Sequence, residues 1–241
     1  MNETQFEEAK NFIGLALEDL CREFRLPFDK VFYFVKDEIF NKKELTDLMI
    51  FRDDDTDKNP INFPLGGPGT FLNGSVIYAL IRYLNCKKVI ETGVANGYYT
   101  SFLLSAVIEN DGFLESVELS NNLNEVAKYV PEKYKKYNNW KLNCGHDSVN
   151  FLKNIKQMDY DFYCHDSLHT TYHMTKELLQ FKRCDRDNFY IFFDDQNDDN
   201  FWTRALNLKL FKKNGYDMKL IEGKDTKLQG HLGGFLSYWR H

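Results

Sequence analysis

The run Glu91-Thr92-Gly93-Val94-Ala95-Asn96-Gly97 is where this chain first brings together residue types that could do chemistry. It lies between KKVIET, a strand-like run, and YYTSFLLSAVIE, which has helical character. Glycines at both ends of a strand-to-helix turn let backbone N–H groups approach a ligand without interference from a Cβ. The start of the following helix can receive an anionic group such as a carboxylate. Glu91, at the strand end, is placed to take a cationic or hydroxylic group. The spacing E-x-G-x-x-x-G lacks the G-x-G-x-x-G that packs a dinucleotide pyrophosphate against a helix. Taken alone, the run also reads as a structural turn.

Two later acids add to it. Glu118 closes the run FLESVEL, twenty-one residues after Gly97. An acid in that place can accept both hydroxyls of a ribose. Asp147 follows WKLNC, in CGHDS, where a carboxylate can accept from an adenine amino group or cap a helix beginning at Ser148. Glu91, Glu118 and Asp147 thus stand at the ends of three successive strands and describe an adenosine cleft, which opens at the carboxyl ends of parallel strands.

The elements that must position these residues follow from periodicity. Phe6 to Phe24 carries apolar residues near helical spacing, an amphipathic helix whose face is core or dimer surface. RDDDTDKNP (residues 52–60) reads as a solvated loop or, alternatively, a cation site. LGGPGT (residues 65–70) is a glycine-rich break and a candidate mobile lid, followed by a helix through SVIYALIRYL. From Lys87 onward the strand-like runs KKVIET, FLESVEL, WKLNC, DFYCHD, FYIFFDD, YDMKLIEG and GGFLSYW appear. YYTSFLLSAVIE, NNLNEVAKYV, DSVNFLKNI and TYHMTKELLQF separate the first five as helical stretches. Alternation of this kind predicts a parallel sheet with helices on both faces. The polar connection 223–232 between the last two strands suggests an antiparallel finish. The expected architecture is a doubly wound, Rossmann-like α/β sheet of seven strands with an antiparallel last strand. Residues 1–65 would be an N-terminal helical extension and 66–241 the main domain.

Composition bounds the rest. The chain has 241 residues, 28.5 kDa and a net charge of −5, enough for one large domain with a full core. Aromatic residues make up 16%, so the core should be rich in rings. No stretch approaches the ~18 apolar residues of a membrane span. The N-terminus MNETQFEEAK lacks the basic start and apolar run of a secretory signal. The five cysteines (Cys21, Cys86, Cys144, Cys164 and Cys184) are scattered and include no CxxC, which argues against a disulfide framework or structural zinc and for a reducing cytoplasm. The acidic balance argues against a general nucleic-acid binder.

On the residues above, the stretch from about 66 to 240 resembles the class I S-adenosylmethionine-dependent methyltransferases. KKVIETGVANGYYTSFLL looks like that fold's first strand, glycine turn and helix. FLESVELS looks like its second strand with the terminal acid. The resemblance implies that Glu91, Gly93 and Gly97 line the methionine part of the cofactor, Glu118 the ribose and Asp147 the adenine end. Asn96, Tyr98, Leu119, Ser148 and His165 complete the expected cofactor-binding set. DYDFYCHDSLHTTYHM (Asp159 to Met174) and FYIFFDDQNDDNFW (Phe189 to Trp202) further resemble the small bacterial sugar O-methyltransferases of the macrocin methyltransferase type. That resemblance implies a divalent metal, Mg²⁺, on Asp166, Asp194 and Asp195. Independently, three carboxylates at adjacent strand ends repel one another unless a hard cation or protonation relieves them.

The sequence departs from that family at one point. Where the family has Asp-Gly-Asp-His, this chain reads Asp166-Ser167-Leu168-His169, so Leu168 replaces a carboxylate that can serve as base. His169 is then the best remaining general base, with Asp166 beside it. His165 and His173 crowd the same segment, and a His-based metal site is an alternative. Phe201 and Trp202 either wall the acceptor pocket or fill the core. The expected activity is methyl transfer from S-adenosylmethionine to an oxygen of a small polar acceptor. A sugar is what the resemblance suggests, and a phosphorylated or nucleotide-linked precursor is equally compatible. Two other readings stay open: an NAD(P)-dependent oxidoreductase on a Rossmann-like fold, and a non-catalytic protein retaining the methyltransferase fold. The N-terminal 60 residues are a candidate homodimer surface.

Overall fold

The computed structural model describes residues 3–49, 68–156, 159–181, 188–194, 216–221 and 234–240. The N-terminal part is helical. α1 (Glu3–Phe24) is followed by α2 (Phe28–Tyr33), a single π-helical stretch (Phe34–Glu38), a 3-10 turn (Ile39–Asn41), α3 (Lys43–Thr46) and a second 3-10 turn (Asp47–Met49). The main domain runs α4 (Pro68–Tyr83), β1 (Lys88–Thr92), α5 (Tyr98–Glu109), β2 (Phe113–Glu118), α6 (Glu132–Lys135) and β3 (Trp140–Cys144). It continues with α7 (Ser148–Asn154), β4 (Phe162–His165), α8 (Thr171–Gln180), β5 (Asn188–Phe193), β6 (Tyr216–Ile221) and β7 (Gly234–Arg240).

The strands form one sheet in the order β3-β2-β1-β4-β5-β7-β6. β1 to β5 pair in parallel, and β7 pairs antiparallel with both β5 and β6. Successive side chains of a strand point to opposite faces, and here the two faces carry different helices. Val89, Leu114, Phe162, Cys164 and Phe192 join the core with α1, α4 and α5. Ile90, Tyr163, Phe189 and Ile191 pack under Leu152 of α7 and Met174 and Leu178 of α8. Both layers are ring-rich, as expected from composition. Tyr78, Phe102, Phe162, Tyr163, Phe181, Phe189 and Phe192 are fully buried, and Phe181 stacks at 4.3 Å on Tyr163 and at 5.0 Å on Phe189.

Two stretches differ from the sequence reading. Residues 121–130 form a series of turns rather than a helix, because their backbone is used elsewhere. Ala127 N–H donates to the Ala95 carbonyl at 2.8 Å and Tyr129 N–H to the Asn96 carbonyl at 2.9 Å. Pro68, Gly69 and Thr70, expected in a lid, open α4; residues 65–67 and the acidic run 52–60 lie outside the described residues.

The N-terminal helices are not a separate body. Ala9, Ile13, Leu17, Leu20, Val31, Val35 and Ile39 share one continuous core with α4 and α5. A part-buried ion pair fixes the docking. Arg82 of α4 donates two hydrogen bonds to Glu38, at 2.8 and 2.9 Å, and Tyr78 donates a third at 2.6 Å. Arg82 and its partners hold the Glu38 carboxyl below the usual range, against the opposing effect of burial. Removing one partner of such a pair leaves the other desolvated and uncompensated. Arg82→Ala is therefore expected to lower stability by about 3 kcal/mol in urea unfolding, and to open residues 1–49 to limited proteolysis.

Candidate functional site

The glycine turn after β1 is held from β2. Glu118 Oε2 accepts from both Val94 and Ala95 N–H at 2.9 Å, and its Oε1 accepts from Ser120 N–H at 2.8 Å. A carboxylate bound to three backbone donors has a fixed direction and keeps lone pairs for further hydroxyl donors. The two glycines have a reason other than ligand access. Gly93 has φ +83°, and a Cβ there would lie 2.0 Å from the Asp166 carbonyl oxygen. Gly97 has φ +87°, and its Cβ would lie 2.5 Å from a Val130 methyl and 2.8 Å from Ala127 Cα. The chain's own backbone, not a ligand, demands both glycines.

Glu91 also differs from expectation. Strand alternation turns it toward α5, not toward the cleft, and it is fully buried. Its carboxyl is taken by the Thr100 hydroxyl, at 2.8 Å, and the Ser116 hydroxyl, at 2.7 Å. Burial pushes its pKa up to about 8, aided by the charge of Glu118 and opposed by the two hydroxyls. At neutral pH Glu91 is mostly a neutral acid under the turn.

Each of the other expected cofactor residues has its own surroundings. Asp147 caps α7, accepting from Asn150 N–H at 2.8 Å. It borders an open groove of about 620 Å³ that runs along α7 past His146, Asn150 and Phe151 to Lys141 and Glu115. Ser148 is buried, with its hydroxyl 2.9 Å from His173 Nε2. Tyr98 points away from the turn, its hydroxyl 3.4 Å from the Leu48 carbonyl and its ring against Phe102. Leu119 is exposed at the end of β2. Asn96 contributes its carbonyl to the 121–130 segment. His165 is fully buried on the α8 face.

At the ends of β4 and β5 the structure brings Asp166, His169 and Asp194 together, each offering a ligand atom within 4.8 Å of the others. His169 Nε2 is 3.4 Å from Asp166 Oδ1. Burial and the neighbouring Asp194 push the Asp166 carboxyl well above the usual range, and His169 pulls it back. Asp195, the third expected metal ligand, lies outside the described residues, as do Phe201 and Trp202. His169, expected as a base, thus joins two of the three expected metal ligands. Sequence reasoning missed the groups that hold Asp194. Tyr99 donates to its Oδ1 at 2.9 Å and Asn73 at 3.3 Å. Tyr99 is the second residue of α5, one place beyond the glycine turn, which was a legible signal; Asn73, mid-helix in α4, offered none.

Residues 90–196 match a family described as a methyltransferase domain. The fold is that of the Rossmann-like methyltransferases. The O-methyltransferase TomG of Streptomyces achromogenes, solved with S-adenosylmethionine and involved in tomaymycin synthesis, superposes with a TM-score of 0.59 at 16% identity, covering 87% of this chain and 95% of its own. Cofactor-bound Rv0187 from MTB gives 0.60 at 14% identity, over 87% and 95%. An O-methyltransferase of Bacillus cereus in complex with S-adenosylhomocysteine gives 0.56 at 16% identity, over 86% and 96%. No curated protein matches the sequence. Among the described residues no helix is long and apolar enough to cross a membrane.

The state of Glu91 is open to measurement. A buried acid with a raised pKa favours folding while protonated, and that advantage is lost as pH rises from the unfolded value of 4.5 toward about 8. Each pH unit between the unfolded and folded values corresponds to about 1.4 kcal/mol of stability. Glu91→Gln mimics the protonated acid, so it should raise the melting temperature relative to wild type at pH 8 and leave it nearly unchanged at pH 5.

Proposed function

We propose that this chain is an S-adenosylmethionine-dependent methyltransferase that methylates a hydroxyl of a small polar acceptor, such as a sugar or a saccharide precursor. The observation that carries this reading is the meeting of Asp166, His169 and Asp194 at the carboxyl ends of β4 and β5, in a methyltransferase fold and beside the turn bridged by Glu118. In this reading Glu118, with oxygens directed at the mouth of the turn, takes the ribose hydroxyls. Asp147, at the head of α7, is next to the adenine end.

Methyl transfer is an in-line displacement. A bond forms from the acceptor oxygen to the methyl carbon while the carbon–sulfur bond breaks, and the electron pair goes to sulfur to leave S-adenosylhomocysteine. Most of the rate comes from holding the acceptor in line with the methyl. With no ion bound there, the hydroxyl proton goes to the His169 imidazole, which Asp166 orients. Asp194 is pinned through one oxygen by Tyr99 and Asn73 and stands beside Asp166 and His169.

Two carboxylates and an imidazole are a donor set that fits a divalent cation. The imidazole suits a first-row transition ion better than Mg²⁺, which prefers oxygen ligands throughout. Bound there, such an ion would orient the acceptor's oxygens and lower a hydroxyl pKa. The sugar acceptor and Mg²⁺ come from the resemblance to macrocin-type enzymes, and Leu168 in place of a carboxylate sets this chain apart from them. The E-x-G-x-x-x-G spacing disfavours the oxidoreductase alternative.

Two measurements test the reading. Calorimetry with S-adenosylhomocysteine should show binding to wild type and binding at least about tenfold weaker, ~1.4 kcal/mol, to Glu118→Ala; equal affinities would remove the ribose assignment. The metal is separable from the cofactor. If a cation is required, EDTA and Asp194→Ala should each abolish methyl transfer while leaving S-adenosylhomocysteine binding in place. Activity retained in both would dismiss it.

A further inference from the structure

Glu177 of α8 is fully buried and has no role in the steps above. Its carboxylate is nonetheless surrounded by donors. Oε2 lies 2.7 Å from the Tyr163 hydroxyl and 2.6 Å from His165 Nδ1. Oε1 lies 2.9 Å from the Ser167 hydroxyl and 3.2 Å from His173 Nε2. Burial opposes its charge, yet His165, His173 and Ser148 hold the carboxyl well below the usual range. An ionised carboxylate can only accept, so the His165 contact requires a proton on Nδ1.

The partners are not random. Tyr163, His165 and Ser167 are alternate residues along β4 and its continuation, all directed to the α8 face. The residues between them, Cys164 and Asp166, take the opposite direction. Cys164 enters the core under α4 and α5, and Asp166 meets His169 and Asp194. Glu177 therefore grips the residue before Asp166 and the residue after it. The His165 ring in turn stands edge-on to the His169 ring, with centroids 5.7 Å apart and planes at 65°.

We propose that Glu177 is a positioning residue for methyl transfer. It clamps both neighbours of Asp166 and locks His165 in its Nδ1-protonated form, which fixes the directions of Asp166 and His169. The proposal rests on the methyltransferase reading for the reaction, but the clamp can be tested without it. A Glu177 that only fastened α8 to the sheet would contribute stability and leave the histidine protonation pattern alone.

The test uses full-length protein labelled with ¹⁵N-histidine and long-range ¹H–¹⁵N correlation spectra. In wild type, His165 should show a protonated Nδ1. Glu177→Met keeps the length of the side chain but removes both acceptor oxygens. In it the His165 Nδ1 signal should lose its protonated position, the His169 signals should move with it, and S-adenosylhomocysteine affinity by calorimetry should change little. Unchanged His165 and His169 signals in Glu177→Met would overturn the proposal. Should that variant fail to fold, Ser167→Ala and Tyr163→Phe, each removing one hydroxyl donor, decide the matter. The His169 signals move in Ser167→Ala but not in Tyr163→Phe if the clamp acts through the loop, and unmoved signals in both overturn it. Wild type that fails to bind S-adenosylhomocysteine would sink the methyltransferase reading and leave the clamp standing.

Discussion

The carboxyl ends of β1 and β4 run so close together that no side chain fits between them. A Cβ on residue 93 would stand 2.0 Å from the Asp166 carbonyl oxygen, so only glycine, at φ +83°, lets the chain leave the sheet there. Backbone hydrogen bonds lock the approach: Gly93 N–H to the Val117 carbonyl at 2.9 Å, and Asp166 N–H to the Thr92 carbonyl at 2.8 Å. The remaining geometry follows from this closeness. It lets Glu118 at the end of β2 reach two amides of the turn, and it delivers Asp166 beside the same turn from the other side.

Two buried glutamates illustrate what decides protonation in such a sheet. Glu91 and Glu177 are both fully buried, and desolvation raises the pKa of each. Glu91 meets two hydroxyls and the like charge of Glu118, and stays mostly protonated. Glu177 meets two imidazoles as well as hydroxyls, and stays ionised. In a low-dielectric setting the number and charge of the donors, not burial itself, sets the outcome.

Much of this was legible in the sequence. The five parallel strands and α5 could be read because short apolar runs alternate with helical stretches, the order that a parallel sheet covered on both faces requires. Residues 121–130 misled, since NNLNEVAKYV has helical spacing while its amides are claimed by the carbonyls of Ala95 and Asn96. The proximity of Asp166 and Asp194 was readable from their places at the ends of adjacent strands. The orientation of Glu91 was not, because its position in the strand, counted from Val89, turns it to the face of Thr100. Glu177 was the hardest to find. Within TYHMTKELLQ it looks like one more polar residue of a solvated helix face, and only the polar side chains at every second place of Tyr163, His165 and Ser167 hinted that an acid had to lie beneath them.

The bond between Ser116 and Glu91 continues outward. Trp140, at the start of β3, donates its indole N–H to the Ser116 hydroxyl at 3.1 Å, and that hydroxyl reaches Glu91 at 2.7 Å. An indole is fluorescent, and its emission depends on the polarity and charge around it. The buried acid beneath the glycine turn is thus linked, through one serine, to an indole at the sheet's outer edge.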